Sequence, residues 1–303
     1  DAFFNPLYEK LKMYYVTGGM PEAVYMWTQE RNIELVRKTL NNILEAYERD
    51  FAKHPNIYEF PKISMIWKSI PSQLSKENKK FIYKVVKEGA RAREYEDALQ
   101  WLVNANLVTK VFKWENDLSA FKIYLVDVGL LTRLSQLSPS TFGEGNRLFT
   151  EFKGALTENY ILQGLSPQFE VSPRYWSENN YEVDFIIQNE NNIIPIEVKA
   201  ETNIKSRSLQ KFKEKFKDDI KLRVRFSFEN LKLDEIVKMV DQGAMTPAEG
   251  EVVIDAISDF DDYSQKYAYW IFLAIAFVAS VVGAIFKNKK QNSELKKRVD
   301  DYR

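Results

Sequence analysis

Three carboxylates and one ammonium occur in an order that suits hydrolytic chemistry: Glu158, Asp184, Glu197 and Lys199. Oxygen ligands of this kind hold a hard divalent cation. A lysine beside such a cation orients a water or stabilises negative charge as it develops. The grouping works only if the chain folds these positions onto one point.

The elements that must do so are legible. Residues 148–165 predict a helix, because Phe152, Ala155, Leu162 and Leu165 recur at helical steps, and Glu158 lies on that same apolar stripe. Two strands are expected next. Alternation places Glu182, Asp184 and Ile186 on one face of the first, with Val183, Phe185 and Ile187 on the other. In the second, Ile194, Ile196, Val198 and Ala200 share one face and Glu197 and Lys199 the opposite one. Asn189 to Asn192 is a short polar turn between them. A helix from Lys205 through Phe216 and a strand from Leu222 to Phe228 complete a mixed α/β unit. On chemistry alone the opposite interpretation stays open: Glu197 and Lys199 as a solvated strand face, and Glu158 paired to a neighbouring Lys or Arg.

The helix-borne Glu158, the strand Asp184 and the following Glu197-x-Lys199 resemble the PD-(D/E)xK nuclease superfamily. More closely, GGMPEAV, FKIYLVDVGLL, FKGALTENYI, YWSENNYEVDFII and IIPIEVKA, in that order, look like the domain of unknown function found behind the ATPase module of many prokaryotic AAA+ proteins. That resemblance covers roughly residues 5 to 230. It implies Mg²⁺-dependent hydrolysis of DNA phosphodiesters, with Asp184 and Glu197 as metal ligands, Glu158 completing the shell and Lys199 positioning the attacking water. Lys205 and Arg207, just past the site, are candidates for holding a nucleic-acid phosphate. The alternative it allows is a non-catalytic module that binds nucleic acid or protein under the control of the ATPase. ATP enters only through the ATPase module, expected upstream of residue 1.

Composition narrows the options. Lys+Arg and Asp+Glu both number 43 in 303 residues, so any basic surface must be local. There are no cysteines, which excludes disulfides and cysteine-ligated zinc and fits a cytoplasmic setting for residues 1–232. A single histidine, His54, leaves no Ser-His-Asp triad to build. No GxxxxGK[ST] run is present, and Gly18-Gly19 before Met20-Pro21 is a turn into a helix.

The resemblance assigns residues 1–60 to the helical part that closes the ATPase. Residues 61–146 predict three helices, at 63–74, 79–87 and 95–105, and a hairpin at 107–114 and 121–126, the outline of a winged helix, with a linker up to Asn146. Glu94, Glu96 and Asp97 at the start of the third helix oppose a DNA backbone there. The resemblance assigns residues 147–232 to the nuclease-like unit. In 233–303 an acidic stretch precedes Tyr267–Phe286, which carries no charge and predicts a single transmembrane helix followed by a basic tail. This tail predicts a membrane anchor.

Overall fold

The computed structural model describes residues 4–227 except 54–57, 77–78, 115–117, 139–146, 170, 190–191, 200–206, 217–219 and 221–222. His54, Ala200, Lys205 and the apolar run Tyr267–Phe286 therefore lie outside the described residues. Among those described, no helix is long and apolar enough to cross a membrane.

The chain opens with three helices, α1 (Phe4–Thr17), α2 (Pro21–Glu30) and α3 (Ile33–Phe51). Proline at the first position of α2 and Asn32 before α3 supply the starts, the Asn32 side chain accepting from the backbone N–H of Glu34 at 2.9 Å and of Leu35 at 3.3 Å. The buried stripe of α3 is Val36, Leu40, Leu44 and Phe51. Leu35 lies off that stripe and is exposed.

The sharp turn Thr17-Gly18-Gly19 is explained by what it touches. Gly18 has φ +66°, and the backbone N–H of Gly19 donates to Asp127 Oδ2 at 2.7 Å. Asp127 also caps α7 (Val128–Leu134) by accepting from Leu130 N–H at 2.9 Å. Gln163, on α8 (Arg147–Leu165), donates to the same carboxylate and accepts from Val128 N–H. One buried aspartate thus ties α1, α7 and α8 together. The GGMP and DVGLL segments are a structural joint.

Between these lie α4 (Phe60–Leu74), the single turn α5 (Tyr83–Val86), α6 (Ala92–Asn104) and an antiparallel pair, β1 (Val108–Phe112) and β2 (Phe121–Leu125). The helix expected over 79–87 is a correction. Lys79–Ile82 is not helical: Lys80 bridges Lys122, and Phe81 N–H donates to Phe121 O at 2.8 Å. Gln73 clamps Ile82 on both sides of its backbone, at 2.9 and 3.1 Å. Pairing with an open strand edge satisfies backbone groups that helix formation would otherwise have satisfied.

The second sheet has the order β3 (Arg174–Glu178), β4 (Tyr181–Asn189), β5 (Asn192–Lys199), β6 (Val224–Ser227). The first three pair antiparallel and β6 runs parallel to β5. α8 packs on one face and α9 (Arg207–Lys215) on the other. β3 was not separated from β4 by sequence reading, since the turn at Asn179 (φ +53°) lies within one polar run. Lys113 bridges Tyr175, and Trp114 N–H donates to Tyr175 O at 2.6 Å, so the hairpin reaches the edge of the second sheet. The main hydrophobic core runs from Tyr15 and Ile66 through Ile123 to Leu156 and Phe185, and a second, smaller cluster of Trp176, Val183, Ile186, Leu209 and Phe212 lies under α9.

Candidate functional site

The centre of interest is where β4 bends. Opposite two steps of β3, from Arg174 to Trp176, β4 takes three, from Ile186 to Val183, which is a β-bulge. Strict alternation fails there: Val183 and Ile186 both pack in the cluster under α9, whereas Phe185 and Ile187 join the main core. The extra residue carries the Asp184 carboxylate out of the ladder, where its Oδ2 accepts the backbone N–H of Val198 at 2.7 Å. The predicted grouping of Asp184 with Ile186 is thus corrected by the bulge.

Glu158 is only 4% exposed on α8. Its Oε1 receives the Lys79 ammonium and its Oε2 the hydroxyl of Tyr124 at 2.9 Å. Lys122 on β2 is wholly buried and donates to Glu182 Oε1 at 2.5 Å. Beyond Val198, Lys199 Nζ stands 3.2 Å from Glu197 Oε1. The Glu197 side chain is 2% exposed, and its Oε2 is buried without a hydrogen-bond partner. Arg225, across from it on β6, is near enough for Glu197 to act on its charge.

Burial works against every charge in this cluster, and neighbours decide the outcome. For Glu158, Lys79 and Lys122 outweigh burial and hold the carboxyl below its usual range. For Asp184, burial and the negative charge of Glu158 prevail over Lys122 and Lys79, and the carboxyl is pushed up to about 7. Lys122 and Lys199 are both raised despite burial: the former by Glu158, Glu182 and Asp184, the latter by Glu197, Asp184 and Glu158.

The raised Asp184 has a consequence for stability. The folded protein binds that proton more tightly than the unfolded chain. The stabilisation is therefore full below pH 3.8 and is lost as the pH climbs through about 7. Glu158 contributes in the opposite sense, losing stability only as the pH falls below 4.5 towards its depressed folded value. Asp184→Asn keeps an acceptor for Val198 and removes the titration. Its melting temperature should fall less than the wild type's between pH 4.5 and 7.5, by at least about 3 °C. Parallel melting curves for the two proteins would refute the raised carboxyl.

The fold thus brings Glu158, Asp184 and Lys199 within electrostatic reach of one another, with Glu197 bonded to Lys199 at the same strand end. It does not leave them open. Among the described residues no group of three or more acidic or histidine side chains is placed to hold a metal ion. Arg207 opens α9 as an exposed residue. Lys79, Tyr124, Lys122 and Glu182 escaped sequence reading as partners, because each pair spans 34 to 79 positions. The available signal was weak: Lys122 is the one charge in FKIYL, a strand buried along its whole length.

No curated protein and no solved structure matches the chain. Residues 8–141 match the family described as Domain of unknown function (DUF8612), up to the end of the helix–hairpin part. Residues 153–243 match Domain of unknown function (DUF4143), a family commonly associated with AAA-type ATPase proteins, so the Lys79–Glu158 and Lys122–Glu182 pairs join one matched domain to the other.

Proposed function

We propose that this chain is a non-catalytic, protein-binding regulatory module of an AAA-type ATPase protein, in which nuclease-like positions have become the seam between two domains. The observation that carries the proposal is the Lys79–Glu158 pair, whose side chains are 13% and 6% exposed. A carboxylate already neutralised by an ammonium and bonded to a phenol offers little to a cation. The remaining residues do not complete a metal shell either: Asp184 is spent on Val198, and alternation along β5 puts Glu197 on the sheet face opposite Ile196 and Val198.

Two further features speak for protein over DNA as the partner. Glu96 on α6 is bonded to Lys110 at 2.6 Å and to the Tyr83 hydroxyl at 2.5 Å, and Glu94 stands exposed beside it, an acidic helix start that repels phosphates. The hairpin that a winged helix would lay along a duplex is instead bridged to β3 through Lys113 and Trp114.

Phosphodiester hydrolysis is the second proposal, favoured by the partnerless, buried Glu197 Oε2 beside Lys199. A divalent cation, when bound, supplies the positive charge that polarises a phosphoryl oxygen. Lys199, 41% exposed, would there stabilise developing negative charge. One assay separates the two proposals. Wild-type protein with Mg²⁺ and duplex DNA should cleave no faster than Asp184→Ala or Lys199→Ala. Cleavage lost in both variants would overturn the non-catalytic assignment and establish the hydrolase.

A further inference from the structure

Positive charge that the fold leaves unspent gathers where α3 meets α7. On α3, Glu34, Arg37, Lys38 and Asn41 follow one another at three- and four-residue steps and so share one side of the helix. From α7, Arg133 reaches the same stripe, its Nε donating to Asn41 Oδ1 at 2.5 Å. The other guanidinium nitrogens of Arg133 have no hydrogen-bond partner among the described residues. Arg37 gives Nη1 to the Glu34 carboxylate, at 3.0 and 3.2 Å, while its Nε is buried without a partner. Lys38 is exposed and makes no ion pair with a described residue. Glu45, the next carboxylate along α3, stands 3.7 Å from Arg49. Arg37, Lys38 and Arg133 thus face Glu34 alone, which leaves two positive charges over.

Two guanidiniums repel, so packing of α7 on α3 is what keeps them close. Burial and the charge of Arg37 hold the Arg133 guanidinium below its usual range, with Glu34 acting against them. The last turn of α7 accounts for one cation, since a helix C-terminus attracts positive charge, but not for Arg37 and Lys38 beside it. A buried donor without a partner calls for an acceptor that the chain does not supply. We infer that Arg37, Lys38, Asn41 and Arg133 form a binding site for a phosphate monoester dianion, whose charge matches the excess over Glu34 and whose oxygens fit guanidinium forks two at a time. The Glu34–Arg37 pair does not bar the way: Glu34 is 69% exposed, and an open pair of this kind contributes little. The site needs neither the domain seam nor any cleavage chemistry, so it stands or falls apart from both readings above.

The test is a titration of the full chain with inorganic phosphate at constant ionic strength, read from the Nε–Hε NMR signals of its arginines. The signals of Arg37 and Arg133 should shift and saturate, while that of Arg49, exposed on the same helix, should stay in place. Arg37→Gln and Arg133→Gln, the second keeping a donor for Asn41, should each weaken binding by at least about fivefold. Glu34→Gln should tighten it by about twofold or more, a gain that a purely structural role for these residues would not produce. A short phosphoserine peptide separates the sources. Tighter binding than free phosphate assigns a phosphorylated side chain of a partner; equal or weaker binding assigns a small phosphorylated ligand. No shift with either probe, an equal shift at Arg49, or binding unchanged in both arginine variants would overturn the site.

Discussion

Gly129→Ala is expected to lower the stability of the fold by about 3 kcal/mol or more, a loss of the size that overpacking against backbone produces. A Cβ at this position would meet Gly18 N at 2.5 Å, Gly18 Cα at 2.6 Å and Thr17 C at 2.7 Å. These atoms have no room to retreat. Gly18 N–H is bonded to Tyr14 O at 2.7 Å, Thr132 donates to Tyr15 O at 2.6 Å, and Gly19 is fixed to Asp127. Moving the turn also breaks the aspartate's bonds to Gln163 and Leu130, so the damage spreads from α1 and α7 to α8. Gly164→Ala is the matched control, since an added Cβ there meets nothing within 4 Å and alanine favours helix. Urea denaturation should show a lower midpoint for Gly129→Ala at unchanged slope, and a midpoint for Gly164→Ala equal to or above the wild type's. A Gly129→Ala midpoint at the wild-type value would mean that the joint is not closely packed.

Lys122→Met is expected to destabilise by about 3–5 kcal/mol, the usual cost of removing one partner from a buried ion pair. Methionine replaces the volume of the stem, so what is lost is charge. Glu182 then has no ammonium, and Glu158 and Asp184 face each other with Lys79 alone to offset them. The deficit should depend on pH in a defined direction. Without Lys122 the buried carboxyls bind protons more tightly in the folded state, so protonation relieves the strain between them. The gap between variant and wild type should be smaller at pH 5 than at pH 7.5. Lys122→Met combined with Glu182→Gln should recover part of the loss. An equal deficit at both pH values would assign it to packing and would remove the electrostatic account of the seam.

The Asp127 joint and the lysine seam illustrate how far local pattern carries. Spacing of apolar residues placed α8, β4 and β5 close to their observed limits, and Met20-Pro21 announced the start of α2, because helix starts and periodicity act over a few residues. The same spacing flagged Glu158 as a charge on a buried stripe, and the turn at Gly18-Gly19 was visible from composition. What escaped was everything that depends on a second, distant segment. The stretch 79–82 carries a helical pattern but lies along β2, since an open strand edge with unpaired backbone groups is a stronger attractor than one turn of helix.

The chain by itself determined which elements form and which side chains carry charge into the interior. Only the tertiary structure decided what those charges meet. Alternation in β4 is a local rule, and the bulge that redirects Asp184 arises from pairing with β3. Burial of a carboxylate can be foreseen from a helical stripe, but its partner cannot, because Coulomb attraction selects by distance in space and Lys79 and Lys122 become near neighbours of Glu158 only after two domains have packed.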